Sequence, residues 1–159
     1  HVISVLFIFF SLFITYQDWK SRSIHVLLFI GYLLSALLHI WYNPGWNWFD
    51  PLFNLAFVLI LVTLSIIVLR SIRKIRTRES IGSGDLIYLL TTLLFFNTYV
   101  FIVALNISFI VSLLFHLIAL RVSDTYKAKN LIPLAGFQAP VFTLFYLMHH
   151  EIYPIESFF

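Results

Sequence analysis

Cysteine does not occur anywhere in the 159 residues, which excludes disulfides, thiolate metal centres and a cysteine nucleophile. Charge is almost as scarce. Asp, Glu, Lys and Arg together make up 11% of the chain, against roughly 25% in a typical soluble domain. No segment carries the small-residue cleavage site of a signal peptide, so the first apolar run is expected to be a retained membrane span. There is also no internal repeat of the kind many transporters show.

What remains is apolar: 61% hydrophobic residues and a mean hydropathy of +0.96 place the chain in a lipid bilayer. Its length accommodates about six spans of roughly 20 residues with short connections, and leaves no room for a separate soluble domain. The expectation is therefore a single membrane-embedded domain over residues 1–159.

The basic residues set the topology. All ten Lys and Arg fall in three clusters: Lys20 and Arg22; Arg70, Arg73, Lys74, Arg76 and Arg78; and Arg121, Lys127 and Lys129. They sit in loops between apolar runs, which argues against nucleic-acid binding. Short loops rich in Lys and Arg resist translocation, so all three clusters belong on the cytoplasmic side. The loop from Asn43 to Asp50 and the segment after Met148 contain no Lys or Arg. An all-α fold of six transmembrane helices with an extracytoplasmic N-terminus satisfies this pattern. It also requires Leu86 to Leu120 to cross twice, turning near Asn97. Leu86 to Phe96 rises only about 16 Å as a helix, against a hydrocarbon core of about 30 Å. The glycine turn before it is thus expected to lie below the headgroups.

On this topology two acids share one depth. Asp18 closes the first span, and Asp85 opens the fourth within Ile81-Gly82-Ser83-Gly84-Asp85-Leu86. An acid inside a membrane is costly and is a functional candidate by default. Two carboxyls held close cannot both ionise cheaply, so they share a proton. The charged member draws a proton from water while the neutral one polarises a peptide carbonyl. Gly82 and Gly84 are expected to supply positive φ and a close approach to substrate. Simpler roles exist for each acid: Asp18 pairing with Arg22 one turn on, and Asp85 as a helix N-cap.

Three landmarks now stand in order: Asp18-Trp19-Lys20-Ser21-Arg22-Ser23-Ile24, then Gly82-Ser83-Gly84-Asp85, then Ile132-Pro133-Leu134-Ala135-Gly136-Phe137. In this order they resemble the type IV prepilin peptidases, GxGD-type intramembrane aspartyl proteases of the bacterial inner membrane. The resemblance implies an aspartic-type endopeptidase whose active site faces the cytoplasm. Asp18 and Asp85 would be catalytic; Gly82, Ser83, Gly84, Arg22 and Pro133 would shape the substrate site. It implies no metal and no cofactor. The substrate would be a prepilin or pseudopilin-like membrane protein of a type IV pilus or secretion system. The chain departs from the family at His25 and Val26, where proline and asparagine are usual. It departs again at Ile87, where lysine is common, and at Gly136, where a second proline is frequent. Family members often carry a methyltransferase region with paired cysteines. None is present here, so cleavage without N-methylation is expected.

Two other readings use the same residues. In one, the acids relay protons or a cation in a small transporter; in the other, the chain is an inactive scaffold of a secretion or pilus assembly. His116 is a candidate to tune the acids or to bond across helices. His39, His149 and His150 are expected near the outer face, more simply polar than metal-binding. Pro133 is at minimum a helix start.

Overall fold

The computed structural model describes residues 2–21, 23–73, 83–122 and 134–149, and these contain helices and turns but no strand. Six helices follow in order: α1 (Val2–Ser21), α2 (Val26–Tyr42), α3 (Phe49–Arg73), α4 (Ser83–Thr92), α5 (Thr98–Val122) and α6 (Leu134–Leu147). Of these, α1, α3 and α5 include stretches long and apolar enough to cross a membrane, while α2 and α6 are shorter apolar helices. The ten residues of α4 rise about 15 Å, in keeping with the shortness expected of that segment.

The interior and exterior are composed as apolar surroundings demand. Ser11, Asn54, Thr92, Ser112 and Gln138 are buried, whereas Leu27, Leu34, Leu59, Ile110 and Leu114 are exposed. Exposed apolar faces of this extent are unusual on a water-soluble monomer. Small and polar residues at helix contacts, with aliphatic ones outside, are the membrane arrangement.

α6 lies against α1, α4 and α5, and α2 bridges α1 and α4. Phe7 of α1 stacks on Tyr146 of α6 at 4.3 Å between centroids and meets Phe95 edge-on at 4.5 Å. At the α1–α2 crossing, a Cβ on Gly31 would overlap the Phe10 ring, so glycine sets how closely these helices approach.

The expected turn near Asn97 is present, and α3 holds it. Asn54 donates from Nδ2 to the carbonyls of Leu93 (3.2 Å) and Phe96 (3.0 Å), two acceptors left over where α4 ends. One turn earlier on α3, Asp50 Oδ1 accepts from the Thr98 amide (3.1 Å) and hydroxyl (2.7 Å). Asn97 caps α5 by accepting from the Val100 amide at 2.9 Å. Its Nδ2 lies 3.0 Å from Nε2 of His149. Thus the turns around residues 43–50 and 93–98 and the end of α6 gather at one end of the bundle.

Candidate functional site

The opposite end holds the acids. Asp18 lies in the last turn of α1, at the close of the first apolar helix as expected. It continues a buried face of Ser4, Phe7, Ser11 and Ile14, whose spacing of three and four residues keeps them on one side of a helix. Its side chain is therefore aimed inward, and only 6% of the residue is exposed. Asp85 lies in the first turn of α4, partly buried.

Both carboxylates are fixed by one short piece of main chain. Asp18 Oδ2 accepts from the Gly136 amide at 2.7 Å, and Asp85 Oδ1 accepts from the Ala135 amide at 2.9 Å. These are successive residues in the first turn of α6, whose amides have no carbonyl partner within the helix. Because successive helical nitrogens are about 3 Å apart, the two accepting oxygens are held within about 9 Å of each other at most. The two carboxyls also interact electrostatically. The partial positive charge of the helix start offsets part of the repulsion between them. Asp18 and Asp85, 67 positions apart by their numbers, are thus neighbours.

Glycine matters here, but at Gly136 rather than Gly84. A Cβ on Gly136 would stand 3.0 Å from Asp18 Oδ2 and 3.4 Å from Asp18 Cβ, so only glycine lets the α6 backbone come this close. Gly84 lies within helix α4, not in an open turn. A Cβ there would make ordinary contacts of 3.7 Å with Phe29 and 3.8 Å with Ile24. The expected left-handed conformation at Gly84 is not adopted, because the helix already begins at Ser83.

Neighbouring aromatics hold the start of α6. Phe137 meets Trp19 of α1 edge-on at 5.8 Å and stacks on Phe115 of α5 at 5.6 Å. His116, next to Phe115, is level with this region and half-buried. The α1–α2 turn is closed by Gln17, whose Oε1 accepts the His25 amide at 3.0 Å. His25 has φ −65° and ψ 134°, close to the φ that proline imposes. A proline at this position could hold the same φ but would lack the N–H that bonds Gln17. Ile87, another of the positions where the sequence departs from the family pattern it resembles, is exposed on α4.

Arg22, Gly82 and Pro133 lie outside the described residues, as does His150, and Ser83 is described only as the first residue of α4. His39 is buried among the rings of Trp46, Phe95 and Tyr146 at the far end. Among the described residues, no three His, Asp or Glu side chains gather as a metal site. Comparison with family models, curated proteins and solved structures finds no match.

The local pattern does not reveal Ala135 and Gly136 as the anchor of both acids. The only signal is a pair of small residues two and three positions after Pro133, where a close helix approach is possible.

Proposed function

We propose that this chain is a six-span aspartyl endopeptidase of the prepilin peptidase kind, with Asp18 and Asp85 as its catalytic pair. The observation that carries the reading is the anchoring of both carboxylates on the successive amides of Ala135 and Gly136. One acid, ionised, takes a proton from water as the oxygen attacks the scissile carbonyl carbon. The other, protonated, hydrogen-bonds the carbonyl oxygen and later returns a proton to the departing amine. Neither cysteine nor metal enters such a cycle.

The proposed orientation has the N-terminus outside and the acids facing the cytoplasm of a bacterial inner membrane. Supporting it, Lys20 and Arg121 lie at the helix ends near the acids, whereas the turns at the opposite end carry no Lys or Arg. The proposed substrate is a prepilin or pseudopilin-like chain, a basic leader followed by an apolar helix. Such a helix, lying in the bilayer, presents its leader junction at the depth of the acids. The Arg70 to Arg78 cluster is assigned to anionic headgroups.

The test is cleavage of a prepilin-type substrate by purified protein in detergent. Wild type cuts; Asp18→Asn and Asp85→Asn each lose activity by about 100- to 10,000-fold, the usual contribution of a general acid or base. Full activity in either variant removes that acid from the mechanism. Cation- or proton-dependent uptake without cleavage replaces the endopeptidase with a transporter.

A further inference from the structure

Just beyond the two anchoring amides, α6 carries Gln138. The residue is 0% exposed, and neither its Oε1 nor its Nε2 has a hydrogen-bond partner among the described residues. Helical side chains lean toward the N-terminus and share a face with the residue three before. Gln138 therefore leans back toward Ala135, whose amide holds Asp85.

A second unpartnered group lies nearby. Ser112 of α5 is buried, and its Oγ has no hydrogen-bond partner among the described residues. Phe115, one turn along α5 from Ser112, stacks on Phe137, the neighbour of Gln138, which sets Ser112 within about one helical turn of the level of Gln138. A buried carboxamide with no partner is destabilising, and native interiors keep few of them. Leucine or methionine fills such a volume without that cost.

We propose that Gln138, assisted by Ser112, is a substrate-positioning residue that hydrogen-bonds the main chain of the peptide presented to Asp85. A carboxamide offers a donor and an acceptor side by side, the complement of the N–H and C=O of an extended peptide unit. An unfolded stretch of substrate below the headgroups has no water to satisfy these groups, so the protein must supply partners. The proposal rests on the endopeptidase reading and adds to it a contact with the peptide main chain that does not depend on substrate side chains.

The experiment compares wild type, Gln138→Leu, Gln138→Asn, Ser112→Ala and Asp85→Asn as purified full-length chains. Each is assayed on a synthetic leader–helix peptide for kcat and KM, and for its thermal unfolding midpoint in the same detergent. Gln138→Leu is expected to lower kcat/KM about tenfold, the worth of one or two neutral hydrogen bonds, while its midpoint equals or exceeds that of wild type. Gln138→Asn falls between the two, and Ser112→Ala shows a smaller loss of the same kind. Wild-type kcat/KM in Gln138→Leu overturns the proposal, as does a lowered midpoint, which marks a packing role. If Gln138→Leu does not fold, Gln138→Met is read by the same criteria. If wild type does not cleave, or Asp85→Asn cleaves equally well, the endopeptidase reading falls and takes this proposal with it.

Discussion

Replacing Gly136 by alanine sets two effects against each other at the site itself. The new methyl carbon would lie 3.0 Å from Asp18 Oδ2, about half an ångström inside a comfortable contact. Asp18 is buried and is held by the amide of the substituted residue, so it cannot retreat and keep that bond. Losing a hydrogen bond to a charged group costs about 1.5–3 kcal/mol. Alanine's advantage over glycine recovers at most about 1 kcal/mol in a helix interior and less in a first turn. The net expectation for Gly136→Ala is a destabilisation of about 1–2 kcal/mol. Under the proposed function, a shift of Asp18 on the ångström scale is also expected to reduce activity by about 100-fold. Gly84→Ala is the internal control. Its methyl meets only Phe29 and Ile24 at ordinary distances, so stability is expected to stay level or rise by up to about 1 kcal/mol. Reversible unfolding in mixed micelles, followed by tryptophan fluorescence, ranks the three proteins. If Gly136→Ala is as stable as wild type while Gly84→Ala is weakened, the close approach of α6 to Asp18 is refuted.

Asn54→Leu leaves the carbonyls of Leu93 and Phe96 without their donor. It is expected to lower unfolding stability by about 1–3 kcal/mol, the cost of unsatisfied buried acceptors; an unchanged unfolding curve would show that the turn satisfies itself. Asp50→Ala removes the acceptor for Thr98 and is expected to cost about 1 kcal/mol, as for a lost helix cap. Hydrogen exchange at the start of α5 should rise with it. Asp18→Asn keeps an oxygen able to accept the Gly136 amide, so its unfolding midpoint should remain above that of Asp18→Ala, even though both are expected to be inactive.

The helical class and the helix order are readable from apolar run lengths and their polar interruptions, down to the turn at Asn97. The pairing of Asp18 with Asp85 follows from a topology argument that fixes depth through the Lys and Arg pattern. What composition misses is how far helical geometry persists once the apolar run ends. Asp18 reads as the close of the first span, yet α1 runs three residues further to Ser21, because main-chain hydrogen bonding does not depend on side-chain polarity. Gly84 reads as a flexible turn for a similar reason, although the helix starts just before it. The anchor at Ala135 and Gly136 is illegible for another reason. Those amides are ordinary main chain, and their partners lie 50 and 118 positions away. Asp50 and Asn54 stay hidden as well, since an isolated polar residue within an apolar run does not show which distant turn it closes.

Because a single turn of the last helix grips both carboxyl groups, that turn acts as a shared datum. Breathing of the first helix against the fourth changes the gap between their axes, but the heads of both side chains stay pinned to adjacent points on a third body. Sliding or turning of the last helix as a rigid body carries both anchor points along together and leaves their spacing alone. Only a distortion within that turn, or the loss of one of the two bonds, therefore separates the acids.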